Sequence, residues 1–302
     1  MMSDRKYLVT GASGKLGSAV VEQLLSSGAL TAQQLIVTTR DRAKLSSLVE
    51  LGVDVREANF SDPSSLEQAF AGANSLLLVS IDLSAGSRTQ PHLNAVNAAK
   101  KAGVDHLIYT SMPAPSQSPV MFAHEHEATE AAIVQSGIDN TVILRNNWYF
   151  ENLPEYFAST LQTGHWLTSA GNGKTAQLSR RDLAMAAAAA LVKAPSGHQV
   201  LTLNGPESLT NDEMAHIMDR ILGTSINMVN LSDDEFRSQL TSFQLPEPVI
   251  ELCVTMDQHN RGLFSDGSSD EFVALTGSQP QTFEQWLTNH RTELRKLANL
   301  DG

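Results

Sequence analysis

The side chains able to move protons are the first thing to place. A tyrosine followed four residues later by a lysine makes a proton relay. The ammonium lowers the phenol's pKa, so the phenol can protonate a developing alkoxide. The chain has tyrosines at 7, 109, 149 and 156, and none has a lysine at the fourth position after it. No lysine occurs between Lys101 and Lys174, so this stretch cannot supply the relay. The helix expected over Phe122 to Gln135 carries His124, Glu125, His126, Glu127 and Glu130 instead. His126 and Glu130 share a helix face. H-E-x-x-H is not formed, however, and no further ligand cluster follows, so the pattern reads as a solvated polar face with no metal site. His126, on the face shared with Glu130, is expected to titrate near neutral pH, which makes it the candidate proton donor. Cys253, the single cysteine, sits among Ile250, Leu252 and Val254 and reads as a buried apolar thiol, not a nucleophile.

The second kind of chemistry is phosphate binding. Tyr7, Leu8 and Val9 form an apolar run that meets Gly11, Ser13, Gly14, Lys15, Leu16 and Gly17. From Leu16 onward apolar residues recur at helical spacing through Val20 and Leu24. Strand, tight turn and helix are therefore expected, with Gly11 making the turn, Gly14 letting main chain approach a ligand and Gly17 packing the helix close. The helix N-terminus suits a pyrophosphate. Leu35 to Thr39 reads as the second strand and ends at Arg40 with no carboxylate at its tip. A carboxylate there would accept from a ribose 2′-OH, whereas Arg40 can fork onto a 2′-phosphate, so NADPH is preferred over NADH.

Elements that position these residues alternate along the chain. Strands are expected at Val53–Ala58, Ser75–Ser80, His106–Ser111 and Thr141–Arg145. Helices fall between them at Arg42–Leu51, Asp62–Phe70, Arg88–Ala102 and Phe122–Gln135. Six strands alternating with helices predict an α/β fold, a Rossmann-type doubly wound parallel sheet. Residues 1–150 are the expected dinucleotide domain, with 174–204 (helix Arg181–Lys193, strand Val200–Leu203) added to it. Residues 151–173 and 205–302 form a smaller, mostly helical substrate-side region, with helices at Asn211–Leu222, Ser232–Phe243, Pro246–Met256 and Phe283–Leu297. The stretch from Asn146 to Gly173 is rich in aromatics (Trp148, Tyr149, Phe150, Tyr156, Phe157, Trp166). Gly171, Gly173 and Lys174 resemble half a phosphate loop, but Thr168 stands where its first glycine is needed, so a turn is expected.

The net charge of −12 argues against nucleic acid or an anionic membrane as partner. One cysteine cannot form an internal disulfide, and no apolar stretch is long enough to span a bilayer, so a cytoplasmic protein is expected. A homodimer is left open.

Taken together, the segment Thr10 to Gly17, the strand Ile108 to Ser111, the run Glu125 to Glu130 and above all Leu144 to Asn152 resemble the NmrA-like branch of atypical short-chain dehydrogenases. Gly171 to Lys174 and Gly262 to Phe264 extend the likeness almost end to end. Within that branch the chain is most similar to the bacterial type 2 NADPH:quinone oxidoreductases, with triphenylmethane reductases nearby. The resemblance implies that Asn146, Asn147, Trp148 and Tyr149 wrap the nicotinamide and line an acceptor pocket, and that Arg40 binds the 2′-phosphate. It further implies that Phe60, Ser80, Ile81 and Ser111 flank the cofactor. Asn146, Trp148, Tyr149 and His126 are then the catalytic candidates. The implied reaction passes a hydride from NADPH to a quinone-like or conjugated aromatic acceptor, a small molecule that needs no Tyr/Lys relay. Two other readings go with the resemblance: a non-catalytic NADP(H)-sensing regulator, and an atypical carbonyl or enone reductase. Most relatives read Arg-Asn-Gly or Arg-Asn-Ala where this chain has Arg145, Asn146 and Asn147, so the acceptor pocket is expected to differ here.

Overall fold

Short apolar runs bounded by glycine or polar turns become strands here because most of their side chains are buried on both faces. The computed structural model describes residues 5–81, 87–153, 160–161 and 163–297; Tyr156 and Phe157 lie outside them. In chain order the strands are β1 (Tyr7–Val9), β2 (Leu35–Thr39), β3 (Asp54–Glu57), β4 (Ser75–Leu78), β5 (His106–Ser111) and β6 (Asn140–Asn146). There follow β7 (His165–Thr168), β8 (Lys174–Thr175), β9 (His198–Leu203), β10 (Leu209–Thr210) and β11 (Asn227–Asn230). Seven of them form one sheet in the order β3-β2-β1-β4-β5-β6-β9. From β3 to β6 all pairings are parallel, with Val9 opposite both Val37 and Leu77. At the far edge the Thr141 amide donates to Gly197 O at 2.9 Å and the Asn147 amide to Leu203 O at 3.1 Å. Both partners advance by the same step, so β9 is parallel as well. The sheet is the Rossmann-type doubly wound one read from the sequence. Its strand order reverses between β1 and β4, and such a switch point opens a crevice at the carboxyl ends of the strands.

The helices are α1 (Lys15–Ser26), α2 (Ser46–Glu50), α3 (Pro63–Phe70), α4 (Thr89–Lys101), α5 (Ala123–Gln135) and α6 (Arg180–Lys193). After these come α7 (Asn211–Leu222), α8 (Asp233–Ser242), α9 (Glu247–Arg261), α10 (Asp270–Thr276), α11 (Phe283–Asn289) and α12 (Arg291–Leu297). Asp62 caps α3 by accepting from the amides of Ser64 and Ser65, and Pro63 opens it. The expected helix over Arg42–Leu51 is instead a 3-10 turn (Arg42–Leu45) followed by α2. The expected Phe283–Leu297 helix is two, separated at His290, whose ring stacks on Trp286 at 4.5 Å between centroids.

The chain divides into two compact units. The first comprises the described residues up to Met112, His124–Asn146 and Arg181–Thr202; the second comprises Pro113–Ala123, Asn147–Arg180 and everything described from Leu203 onward. One core of the first unit gathers Leu8, Ile36, Phe70, Leu76, Val96 and Tyr109, with Phe60 packed against it. In the second unit β7 pairs in parallel with β11, and β8 pairs antiparallel with β10. One of its cores joins Phe150, Trp166, Met218, Phe283 and Trp286.

Candidate functional site

Parallel strands put all their carboxyl ends on one sheet edge, and the first-unit candidates lie there. Gly11 follows β1 at φ +62°, a left-handed conformation that glycine adopts without strain. Gly17 is fixed by packing: a Cβ there would lie 2.3 Å from Gly11 O. Gly14 differs, since its φ of −88° suits any residue and it is exposed. It is the N-cap of α1, whose first turn contains no acidic residue. The first amides of a helix have no acceptor within the helix, so the start of α1 brings N–H groups and positive dipole toward the exposed Gly14. A pyrophosphate fits that chemistry.

At the tip of β2, Thr39 Oγ1 lies 2.9 Å from Ser13 Oγ and accepts from the Asp41 amide at 3.1 Å. Ser13 is thereby tied to the second strand. The Asp41 carboxylate accepts from the Ala43 amide at 3.1 Å and caps the 3-10 turn. It is therefore engaged as a cap, while Arg40 is exposed beside it with Arg42 and Lys44 on the same turn. A 2′-phosphate fits this cation-rich tip better than a bare ribose hydroxyl does.

The exit of β4 is held in an unusual way. Three successive amides each donate to a side chain: Val79 to Thr10 Oγ1 at 2.9 Å, Ser80 to Thr110 Oγ1 at 2.9 Å and Ile81 to His92 Nε2 at 3.1 Å. At the end of β5, Ser111 Oγ donates to Glu130 Oε1 at 2.6 Å, and Arg145 grips the same carboxylate through Nε at 3.1 Å and Nη2 at 2.7 Å. Asn146 ends β6 and is buried.

The face of α5 expected to be solvated is not. Glu125 is 5 % exposed, His126 4 % and Glu130 9 %. Glu125 forms a buried ion pair with Arg88, Nε to Oε2 at 2.8 Å, and His126 Nδ1 lies 2.8 Å from Tyr109 Oη. Burial, with Arg88 and His92 nearby, holds the His126 pKa well below the ordinary 6.5. The expectation that His126 titrates near neutral pH is corrected accordingly: it stays neutral there because charging it would strand a cation among buried groups. Tyr109 is pushed above its ordinary 10.0, chiefly by burial.

In the second unit the aromatic segment is organised by amides. Asn147 is fully buried; its Nδ2 donates to Asn204 Oδ1 at 2.8 Å and to Ser265 O at 2.9 Å, and its Oδ1 accepts from the Trp148 amide at 2.8 Å. The extra side chain relative to Gly or Ala is thus a buried brace. Trp148 Nε1 donates to Asn260 Oδ1 at 3.3 Å, and its ring meets His259 edge-on at 5.4 Å. His259 is held on both sides, by Ser118 Oγ at 2.6 Å and Ser265 Oγ at 2.8 Å. Arg180 lies over the Tyr149 ring at 5.9 Å. Phe150 and Trp166 are core. Gly173 is a turn glycine: a Cβ on it would sit 2.5 Å from the main chain of Asn260 and Arg261. Cys253 is half-buried beside Ile250 and Val254, and burial pushes its thiol up to about 11.

A comparison with known protein families matches residues 3–287 to the NmrA-like family. The chain belongs to that family. Quinone oxidoreductase 2 of Escherichia coli is 35% identical to it over 263 residues, covering 86% of this chain and 91% of the relative. An NAD(P)H azoreductase of Xenophilus azovorans is 25% identical over 94% of this chain and 97% of its own. The solved NADPH-dependent quinone oxidoreductase of Escherichia coli, complexed with NADPH, superposes with a TM-score of 0.87 at 32% identity over 95% of this chain and 99% of that one. Triphenylmethane reductase of Citrobacter sp. with NADP(H) gives 0.85 at 31%, over 94% and 99%. The resemblance read from Leu144 to Asn152 is borne out at family level. Among the described residues no helix is long and apolar enough to cross a membrane.

Sequence reasoning missed His92, Arg88, His259 and Asn260, all polar and all buried. It missed Asp257 too. Its Oδ2 accepts from Thr168 Oγ1 at 2.8 Å and the Ser169 amide at 2.6 Å, and burial raises its pKa from 3.8 to about 6. An acid with a raised native pKa keeps its proton in the native state between pH 3.8 and about 6, where the unfolded chain has lost it. Stability from this group therefore grows as pH falls through that window, and the burden is complete above it. Asp257→Asn should leave stability unchanged at pH 3.5. It should raise stability at pH 8 by on the order of 1–2 kcal/mol, discounted because the residue keeps some solvent contact. Urea melts at the two pH values measure this, and equal stabilities at pH 8 would contradict it.

Proposed function

We propose that the protein transfers a hydride from NADPH to a quinone-like or conjugated aromatic acceptor, without a Tyr/Lys proton relay. Its standing as an NAD(P)H-dependent oxidoreductase rests on kinship with the quinone oxidoreductase and the azoreductase over most of their length. NADP(H), when bound, supplies the hydride. The residues suited to hold it are the Gly11–Gly17 turn with the first turn of α1, and Arg40 at the tip of β2. Val79–Ile81 and Ser111 lie at the same sheet edge.

The observation that carries the acceptor assignment is how the acid–base candidates are committed. Tyr109 is fully buried with its phenol pushed up, His126 is held neutral, and no lysine occurs between Lys101 and Lys174. A simple ketone would develop an alkoxide, and neither Tyr109 nor His126 is suited to protonate it. A quinone spreads the incoming charge over its ring and takes its proton from water, and a triaryl cation needs none. Such acceptors ask mainly for orientation. Asn147, Asn260 and His259 brace the Trp148 segment, which suits that task. The single cysteine fits a reducing, cytoplasmic setting, and the partner is the small-molecule acceptor.

The test follows NADPH oxidation against a panel of quinones, triarylmethane dyes and enones. Quinones and dyes should turn over. Tight NADPH binding with silence across the panel would instead indicate a cofactor-sensing protein. Tyr149→Phe keeps the ring under Arg180 and should lower turnover by less than the factor of roughly 10² expected for a lost general acid. Trp148→Ala should lower it more, through misplacement. Collapse of activity in Tyr149→Phe would reveal an acid and point to a carbonyl acceptor.

A further inference from the structure

His92 lies on α4, is fully buried and faces the exit of β4. A main-chain amide can only donate, so the 3.1 Å contact from Ile81 N–H requires an unprotonated Nε2. Burial, with Arg88 adding to it and Glu125 opposing, lowers the ring's pKa to about 4, so at neutral pH its one proton is on Nδ1. That nitrogen lies 3.1 Å from Thr129 Oγ1 and 3.5 Å from Tyr109 Oη. Thr129 gives its own proton to Glu125 O at 2.7 Å, leaving its oxygen free to accept from His92. With that proton on His92, Tyr109 cannot donate to its Nδ1, and the Tyr109 hydroxyl lies closer to His126 Nδ1, at 2.8 Å. The Ile81 amide thus fixes the tautomer of a buried histidine, and Thr129 is placed to accept from its other nitrogen.

The other side of Ile81 is held as well. Arg88 Nη1 donates to Ile81 O at 3.4 Å. Glu125 fixes Arg88 in turn, accepting from its main-chain N–H and from its Nε, each at 2.8 Å. Val79 and Ser80, the residues before it, are already anchored by Thr10 and Thr110.

We propose that His92 is a positioning residue for the nicotinamide cofactor: through its Nδ1–H tautomer it holds the Ile81 amide, completing the row that sets the Val79–Ile81 main chain at the cofactor edge. The proposal rests on the NADP(H) reading above.

Two substitutions separate the contact from mere volume. In His92→Gln the Gln carboxamide oxygen reaches the place of Nε2 and can still accept from Ile81. In His92→Asn the carboxamide reaches only the place of Nδ1 and can still engage Thr129. NADPH should bind His92→Gln within about threefold of the unmutated protein, and His92→Asn about tenfold more weakly, the scale of one lost buried hydrogen bond. The Ile81 amide should exchange faster with solvent in His92→Asn alone, measured without cofactor. A long-range proton–nitrogen spectrum of the unmutated protein at pH 7 should show His92 as the Nδ1–H tautomer, a readout independent of whether either variant folds. An Nε2–H tautomer, or equal NADPH affinities in both variants, would overturn the proposal. An unmutated protein indifferent to NADPH would sink the functional reading and the proposal with it, whereas normal NADPH binding by His92→Asn would sink the proposal alone.

Discussion

Gly14→Val should weaken NADPH binding by about 10²-fold while leaving the melting transition in place. The main chain at Gly14 adopts φ −88° and ψ 169°, open to any residue, and the position is exposed. A Cβ there would meet only Gly11 O, at 3.2 Å, so the turn has to yield by a few tenths of an ångström. The valine branches would stand over the first-turn amides of α1, where a pyrophosphate needs main chain without cover. Losing two charge-assisted hydrogen bonds of roughly 1.5 kcal/mol each lowers affinity by about 10²-fold. Gly17→Val is the contrasting variant. Its Cβ would collide with Gly11 main chain at 2.3 Å, so it should unfold or strain the turn itself. Calorimetric titration beside a thermal melt distinguishes the two, and normal NADPH affinity in Gly14→Val would reduce the glycine loop to a turn.

Arg40→Ala should erase most of the preference for NADPH over NADH. Arg40 is exposed at the tip of β2, and the carboxylate next to it in the chain, Asp41, is engaged as a cap. A guanidinium on a 2′-phosphate contributes about 1.5–3 kcal/mol, or roughly 10- to 100-fold in affinity. NADH lacks that phosphate and should bind the variant nearly as before. Arg42 and Lys44 leave a residual preference, which should fade further with added salt because exposed charges are screened. Equal affinities for the two nucleotides in the unmutated protein would remove the basis for the assignment.

The sheet was readable in advance because each buried strand carries a short apolar run: β2 and β5 fall within the bounds their composition suggested. Elements stabilised by partners distant in sequence were not. The α9 helix continues to Arg261, five residues beyond the expected Met256, because His259 and Asn260 look like loop residues and are in fact buried against Ser118, Ser265 and Trp148. Two-residue strands such as β8 and β10 carry no periodicity to detect. The site divides along the same line. The glycine turn and Arg40 announce themselves through local spacing. His92 and Arg88 act through Ile81 and Glu125, and only the folded chain brings those together. The acidic run on α5 misled for the same reason, since composition cannot tell a charge facing water from one facing a buried arginine.

The division of the chain into interleaved stretches has a bearing on biosynthesis. The first unit needs residues up to Thr202, including the strand at its sheet's far edge, which follows its neighbour by about fifty residues. The second needs Pro113–Ala123 and Asn147–Arg180 together with the part from Leu203 onward. A nascent chain released at residue 150 would therefore expose an unpaired β6 edge and carry stretches whose partners have not yet been made. Neither unit is a segment that a single cut can excise. A truncated gene should give aggregates, and each unit should close only once distant parts of the chain have left the ribosome.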